Sequence, residues 1–195
     1  MTDSRPLPRR ATLVRTTLVR LLALLLLFAS GLLIGATVKE LEAQHLMQLA
    51  ETQQHHLDLD LAVHSLLEAA HFEPSDARLQ LTLATAYRTL WLFRDTADLK
   101  RAADQAYIRA GSLSPHWPVP AYEHARMYTF RGQDAQALNL LQGALERDPN
   151  NAGYWLERAR SLSKLHRLLE ARTAFERCQV LRPNPECERG LRSGR

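Results

Sequence analysis

The feature that most constrains this chain is a pattern of small and large residues that recurs every 34 positions between Pro118 and Pro185. Small residues let two helices approach closely, and large residues fill the space around the crossing. Counted from Pro118 and then from Ala152, both copies have alanine at positions 8 and 20, large apolar residues at 11 and 24, and proline at 32: Ala125, Ala137, Tyr128, Leu141 and Pro149, then Ala159, Ala171, Leu162, Phe175 and Pro183. Each copy predicts a helix hairpin that its proline ends.

This spacing resembles that of the tetratricopeptide repeat family. The same frame extends backwards over two further copies, so the resemblance implies an all-α, right-handed solenoid of four hairpins, at 43–76, 77–117, 118–151 and 152–185. Residues 186–195 would form a short cap and tail, as solenoid ends require. His124 and Arg158 depart from the family pattern at position 7, which is usually leucine.

The second predicted hairpin has seven extra residues, about two helical turns, and would protrude from the solenoid. Its tip carries an apolar cluster that includes Trp91 and Phe93, followed by Arg94, Asp95 and Thr96, which suit a loop and a helix N-cap. Three interpretations stay open for this tip: a docking site for a partner, a contact with a nearby membrane, or packing on neighbouring repeats.

An uncharged run at 21–38 predicts a transmembrane helix, because about 27 Å of helix nearly spans the hydrocarbon core of a bilayer. Five arginines precede the run in the basic tail at 1–20, so the positive-inside rule places that tail in the cytoplasm and the repeats outside it. A cleaved signal peptide is the alternative, but Ile34 occupies the first small position of the only candidate cleavage site. Gly31 and Gly35 have a spacing that allows close pairing of membrane helices.

Charge argues against nucleic-acid binding. The formal net charge of +4 belongs entirely to residues 1–20, and the remainder is balanced between acidic and basic side chains. Only three of the 25 basic residues are lysine, which is typical of GC-rich bacterial genomes. We therefore expect a protein of the bacterial inner membrane with a periplasmic repeat domain.

No catalytic or cofactor motif is present. The sequence lacks a phosphate-binding glycine loop, a nucleophile elbow and a Cys-x-x-Cys pair, so we expect neither an enzyme nor a cofactor. Five of the eight histidines lie in the first repeat, but their spacing favours a solvated helix face over a metal site. Cys178 and Cys187 could form a disulfide that fastens the end of the solenoid, or remain a buried residue and an incidental thiol.

In the family, set positions of the first helix of each repeat line a concave groove that receives a peptide or a partner helix. The resemblance carries that role to cationic and aromatic residues of repeats two to four: Arg88, Tyr122, Arg126, Phe130, Arg160 and Lys164. These could hold an acidic segment or a C-terminal carboxylate. Glu123 and Glu157 precede Arg126 and Arg160 by three residues, and simple surface pairs are the alternative.

The sequence therefore predicts a membrane-anchored scaffold that binds protein partners in a bacterial envelope complex. In layout it resembles the small anchored members of the family that accompany envelope polysaccharide synthesis or export. Two alternatives remain: a peptide-binding chaperone similar to the repeat proteins of cytochrome c maturation, and a structural subunit of one membrane complex. Self-association through the membrane helix is a further expectation.

Overall fold

A computed structural model describes residues 9–56 and 58–193 of the chain. The regular secondary structure of these residues is entirely α-helical, which confirms the predicted all-α class. The helices are α1 (Arg9–His55), α2 (Leu59–Phe72), α3 (Ala77–Arg94), α4 (Ala97–Leu113), α5 (Val119–Thr129), α6 (Asp134–Arg147), α7 (Ala152–Lys164), α8 (Leu168–Leu181) and α9 (Pro185–Ser193). Residues 1–8 of the predicted basic tail, and the last two residues of the chain, lie outside the described part.

Consecutive helices pair as hairpins, and each hairpin packs on the next. The pairs are α1 with α2, α3 with α4, α5 with α6, and α7 with α8, and α9 covers the end by packing on α8. Alanines at positions 8 and 20 are buried where the two helices of a hairpin cross, as in Ala125 with Ala137 and Ala159 with Ala171. Leu141 and Phe175 fill the space beside these crossings.

The first helix runs without a break from an exposed apolar part into a part that packs on α2. From Ala43 onward it packs on α2, with Ala43 and Ala50 buried in the first hydrophobic cluster. Before that point its leucines are exposed, Leu27 to 68%, and so is Phe28, to 69%. Within the described residues, this is one helix long and apolar enough to cross a membrane, with a mean hydropathy of 2.5 in its most apolar stretch.

The second hairpin is longer than the others. Helices α3 and α4 have 18 and 17 residues, against 11 to 14 in α2 and in α5 to α8. Asp95 adopts a left-handed conformation (φ 51°) that ends α3, and the Thr96 hydroxyl accepts a hydrogen bond from the Leu99 amide and caps α4.

The turns of the solenoid fall on two opposite edges. Turns within hairpins lie along one edge, where Arg94 binds Asp60 and Arg131 binds Asp95. Turns between hairpins lie along the other edge, where Arg109 donates to the Pro74 carbonyl at 3.0 Å and Arg147 to the Pro115 carbonyl at 2.6 Å. We call these the hairpin-tip edge and the inter-hairpin edge.

Candidate protein-binding groove

The structure brings four of the six predicted groove residues together where α3 faces α5. Arg88 Nη1 lies 2.7 Å from a Glu123 carboxylate oxygen, although 35 residues separate them. Arg126, one helical turn after Glu123, donates to the same carboxylate at 3.0 Å. Tyr122 and Phe130 lie on either side of Arg126. We call this set the groove cluster: Arg88, Tyr122, Glu123, Arg126 and Phe130.

The groove cluster carries more positive than negative charge, because two guanidinium groups share one carboxylate. Burial disfavours the charged form of Arg126, but Glu123, together with Tyr122 and Glu157, more than compensates, so the pKa of Arg126 is raised and the side chain stays cationic. Arg88 is mostly buried, and its Nε has no hydrogen-bond partner among the described residues. Because positive charge is in excess, the cluster can attract a further negative charge.

Aromatic rings form the walls of this cluster. The Phe130 ring lies 5.7 Å from the Arg88 guanidinium and 5.3 Å from that of Arg126, and the Tyr122 ring lies 5.8 Å from Arg126. Such cation–π contacts hold the guanidinium groups in place. Phe130 nevertheless keeps 51% of its surface exposed, so apolar area remains available to a ligand.

The two remaining predicted groove residues, Arg160 and Lys164, form ion pairs outside the groove cluster. Arg160 forms a two-point ion pair with Glu186 of α9, with Nε 2.7 Å from the carboxylate, and also binds Glu157 at 2.7 Å. The hydrogen bond with Glu186 is the main reason that the pKa of Arg160 is raised. Lys164 lies 3.4 Å from the buried carboxylate of Asp134. The repeat position predicted correctly that Arg160 lies on α7. It could not predict the ion pair with Glu186 of α9.

Beneath the groove lies a polar network that sequence reasoning missed. The Asp104 carboxylate accepts hydrogen bonds from His124 Nε2 at 2.8 Å, Lys100 Nζ at 2.9 Å and the Tyr128 hydroxyl at 3.0 Å. Burial acts to raise the pKa of Asp104, but the three donors lower it overall. The only sequence signal was His124 itself, a polar residue at a position that the family fills with leucine.

His124 is the centre of this network's packing. Its ring is buried, stacked at 5.0 Å on Tyr107 of α4 and tilted at 5.5 Å against Tyr128. Burial lowers the pKa of His124, and Asp104 only partly opposes this. The network thus joins the second and third hairpins directly below the groove cluster.

At the tip of the second hairpin, the structure contradicts the prediction that Trp91 is a docking residue. Trp91 is not an exposed docking residue, because only 3% of its surface is exposed. Arg131 from the next hairpin lies 4.7 Å above its ring and donates to its carbonyl at 2.9 Å, which covers the end of α3. Phe93, by contrast, is 73% exposed. The two residues lie on opposite faces of the helix end.

The remaining predicted features lie at the two ends of the chain. Cys178 and Cys187 are joined by a disulfide between α8 and α9, with Cα atoms 6.2 Å apart. Beyond the backbone of α1 itself, no described atom lies within 4 Å of the position that a Cβ would take on Gly31 or Gly35. In residues 9–56 and 58–193, no three histidine, cysteine or carboxylate side chains come together in a way that could hold a metal ion.

Comparison with known proteins identifies the fold. No family model matches the chain, and no curated protein sequence does either. Solved structures do match. MamA (41-end) from Desulfovibrio magneticus RS-1 is 17% identical, with 78% of this chain and 83% of that one covered and a TM-score of 0.64. The pilF structure from Pseudomonas aeruginosa is 15% identical (80% and 68% covered, TM-score 0.63).

TTC0263, a thermophilic TPR protein of Thermus thermophilus, is 17% identical, with 78% and 81% covered and a TM-score of 0.62. At these identities the similarity is one of fold alone. The chain has the tetratricopeptide-repeat fold.

Proposed function

We propose that this protein is a membrane-anchored adaptor that holds a protein partner in its groove cluster. The observation that carries the proposal is the sharing of Glu123 by Arg88 and Arg126 beside an exposed aromatic ring. A partner segment with a carboxylate and an apolar side chain would add the missing negative charge and cover Phe130.

The proposed anchor is the apolar stretch of α1. Its exposed leucines would be unfavourable in water and are suited to lipid. We place the basic tail in the cytoplasm and the repeats in the bacterial periplasm, within an envelope complex such as one for polysaccharide synthesis or export. Self-association through Gly31 and Gly35 remains a prediction.

A second contact for the same complex is Phe93 at the hairpin-tip edge. It is the exposed apolar residue beside the buried Trp91, and nothing within the described residues covers it. This favours the structural-subunit alternative as a complement to groove binding. Replacing Phe93 with asparagine tests it, since Trp91 belongs to the core and its replacement by a polar residue would disturb the fold.

Affinity capture of the tagged full chain from membranes in mild detergent tests the proposal. We expect Arg126→Glu to remove the co-purifying partner, because it places a second carboxylate beside Glu123. Arg172→Glu is the matched control, since Arg172 is exposed on α8 and pairs with Glu176 of the same helix. Equal partner recovery from both variants would contradict groove binding, and a reporter fused after Arg195 that is active only in the cytoplasm would contradict the proposed orientation.

A further inference from the structure

The first turn of the inter-hairpin edge lies beside the end of the apolar stretch of α1. One surface cleft is lined both by Glu40 and Gln44 of α1 and by Glu73 and Asp76 of the turn at 73–76. On a helix that rises about 1.5 Å per residue, these α1 residues lie roughly 3 to 9 Å beyond Val38, the last residue of the uncharged run. The turn is therefore level with the first polar residues after the run.

The second turn of that edge lies next to the first. A further cleft is lined by Asp76 of the first turn and Arg78 at the start of α3, and by His116 and Trp117 of the second turn, at 114–118. Arg109, in the last turns of α4, holds the two together through the Pro74 carbonyl. Both turns thus form one surface that begins at α1.

A bilayer has a polar layer of roughly 5 to 8 Å on each side of its hydrocarbon core. If α1 crosses a membrane along 21–38, the turn at 73–76 falls at the depth of that layer. We infer that the two turns, 73–76 and 114–118, rest on the phospholipid headgroups of the bilayer that anchors the chain. This inference rests on the proposed anchor.

The chemistry of the surface suits zwitterionic headgroups. It carries charges of both signs: Glu40, Glu73, Asp76 and Arg78 line its clefts. Arg109 and Arg147 reach its turns through the Pro74 and Pro115 carbonyls. Trp117 is half-buried and follows the exposed Pro115 and His116, and tryptophan is enriched at the membrane–water interface. Arginine can bind the lipid phosphate, and the carboxylates can face the choline or ethanolamine group.

This placement determines how far the hairpin-tip edge lies from the bilayer. From Lys39 to His55, α1 rises about 25 Å, so the hairpin-tip edge would lie that far above the bilayer. Phe93 belongs to that edge, because its neighbour Arg94 binds Asp60 just after the end of α1. Phe93 would then be presented to a protein partner and not to lipid.

Tryptophan quenching tests the inference, since the three tryptophans lie at different places. Two full-length single-tryptophan variants are reconstituted into phosphatidylcholine vesicles that contain headgroup-nitroxide lipid. One variant keeps Trp117 (Trp91→Phe, Trp155→Phe) and the other keeps Trp91 (Trp117→Phe, Trp155→Phe). We expect several-fold stronger quenching of Trp117 than of Trp91, and flotation with the vesicles reports anchoring separately.

Flotation with equal quenching of both tryptophans would overturn the inference and leave the anchor intact. Failure to float would overturn both. If the substitutions disturb folding, the unaltered chain can be cross-linked to lipid that carries a photoreactive headgroup. Label in the peptide that contains 114–118 and not in the one that contains 93–96 supports the inference, and the reverse pattern contradicts it.

Discussion

Arg126 and Arg160 occupy the same position in consecutive repeats and have opposite surroundings. In the third repeat two guanidinium groups share the single carboxylate of Glu123, whereas in the fourth repeat two carboxylates, Glu157 and Glu186, surround the single guanidinium of Arg160. Position in the repeat determines where a side chain lies. Its neighbours from other elements determine whether it can bind a partner.

The two regions also differ in what holds them together. Below the groove cluster, hairpins two and three are joined by the partly buried network around Asp104. At the end of the solenoid, α9 is held by the disulfide and by the exposed Arg160–Glu186 pair. We therefore expect that the groove region is sensitive to loss of the shared acceptor Asp104, and the end region to reduction of the disulfide.

The largest effect is expected from Asp104→Ala. It would leave His124, Lys100 and Tyr128 without their shared acceptor, and destabilise the fold by about 3 kcal/mol. Urea unfolding of the full chain in detergent, followed by circular dichroism, measures the change. Asp98→Ala is the control, because Asp98 is exposed and pairs with Arg101, which is exposed as well. Similar unfolding midpoints for both variants would show that the network contributes little.

Reduction of the disulfide should have the next largest effect. Closure of so short a loop, with nine residues of separation, is expected to stabilise by about 2.5 kcal/mol. The thermal midpoint of the chain should fall on addition of a reductant, while that of the Cys178→Ser, Cys187→Ser variant should not respond. Partner binding at the groove cluster should persist in the variant, because α9 lies at the far end. A midpoint that reductant leaves unchanged in the unaltered chain would contradict this.

Acidification should weaken the groove region through His124. Burial lowers its pKa, so the folded chain binds this proton less readily than the unfolded chain does. Above the ordinary value of 6.5 both states hold a neutral ring, and stability is lost as pH falls below 6.5 toward the folded pKa, by at most about 1.4 kcal/mol for each pH unit. His124→Gln should flatten the unfolding free energy between pH 7 and 5. His116→Gln, at an exposed position, should not flatten it. An equal slope of unfolding free energy against pH in both variants would refute the assignment of this pH dependence to His124.

The smallest effect is expected from Arg160→Ala. The side chain is 43% exposed, so its ion pairs are screened by solvent and should contribute under about 1 kcal/mol despite their short distances. Urea midpoints at low and high salt measure it, and the difference from the unaltered chain should shrink with salt. A loss that is large and independent of salt would mean that Arg160 holds α9 as firmly as the disulfide does.

The all-helical solenoid was predictable because its signal is local and repeated. Alanines such as Ala125 and Ala159 recur at a fixed spacing, and the extra length of the second hairpin appears as seven inserted residues. Contacts between repeats were not predictable, because Arg88 and Glu123 lie 35 residues apart and no spacing rule joins them. The same holds for Arg131, whose contact from the next hairpin buries Trp91.

The pairs of Glu123 with Arg126 and of Glu157 with Arg160 could be foreseen from three-residue spacing, and both form. The net charge around each pair could not be foreseen, because it depends on a third residue from another helix. Arg88 adds a second cation to one pair, and Glu186 adds a second carboxylate to the other. In a repeat protein, the contacts between adjacent hairpins must therefore be known before candidate site residues can be ranked as partner-binding residues.

The most direct test of the account compares Arg126→Glu and Arg160→Glu in the same affinity capture, with co-purifying proteins measured by quantitative mass spectrometry. Both substitutions reverse one charge at the same repeat position, so they are matched in chemistry and differ only in surroundings. We predict that Arg126→Glu loses the partner and that Arg160→Glu retains it. Retention by Arg126→Glu together with loss by Arg160→Glu would contradict the assignment of the groove cluster as the binding site.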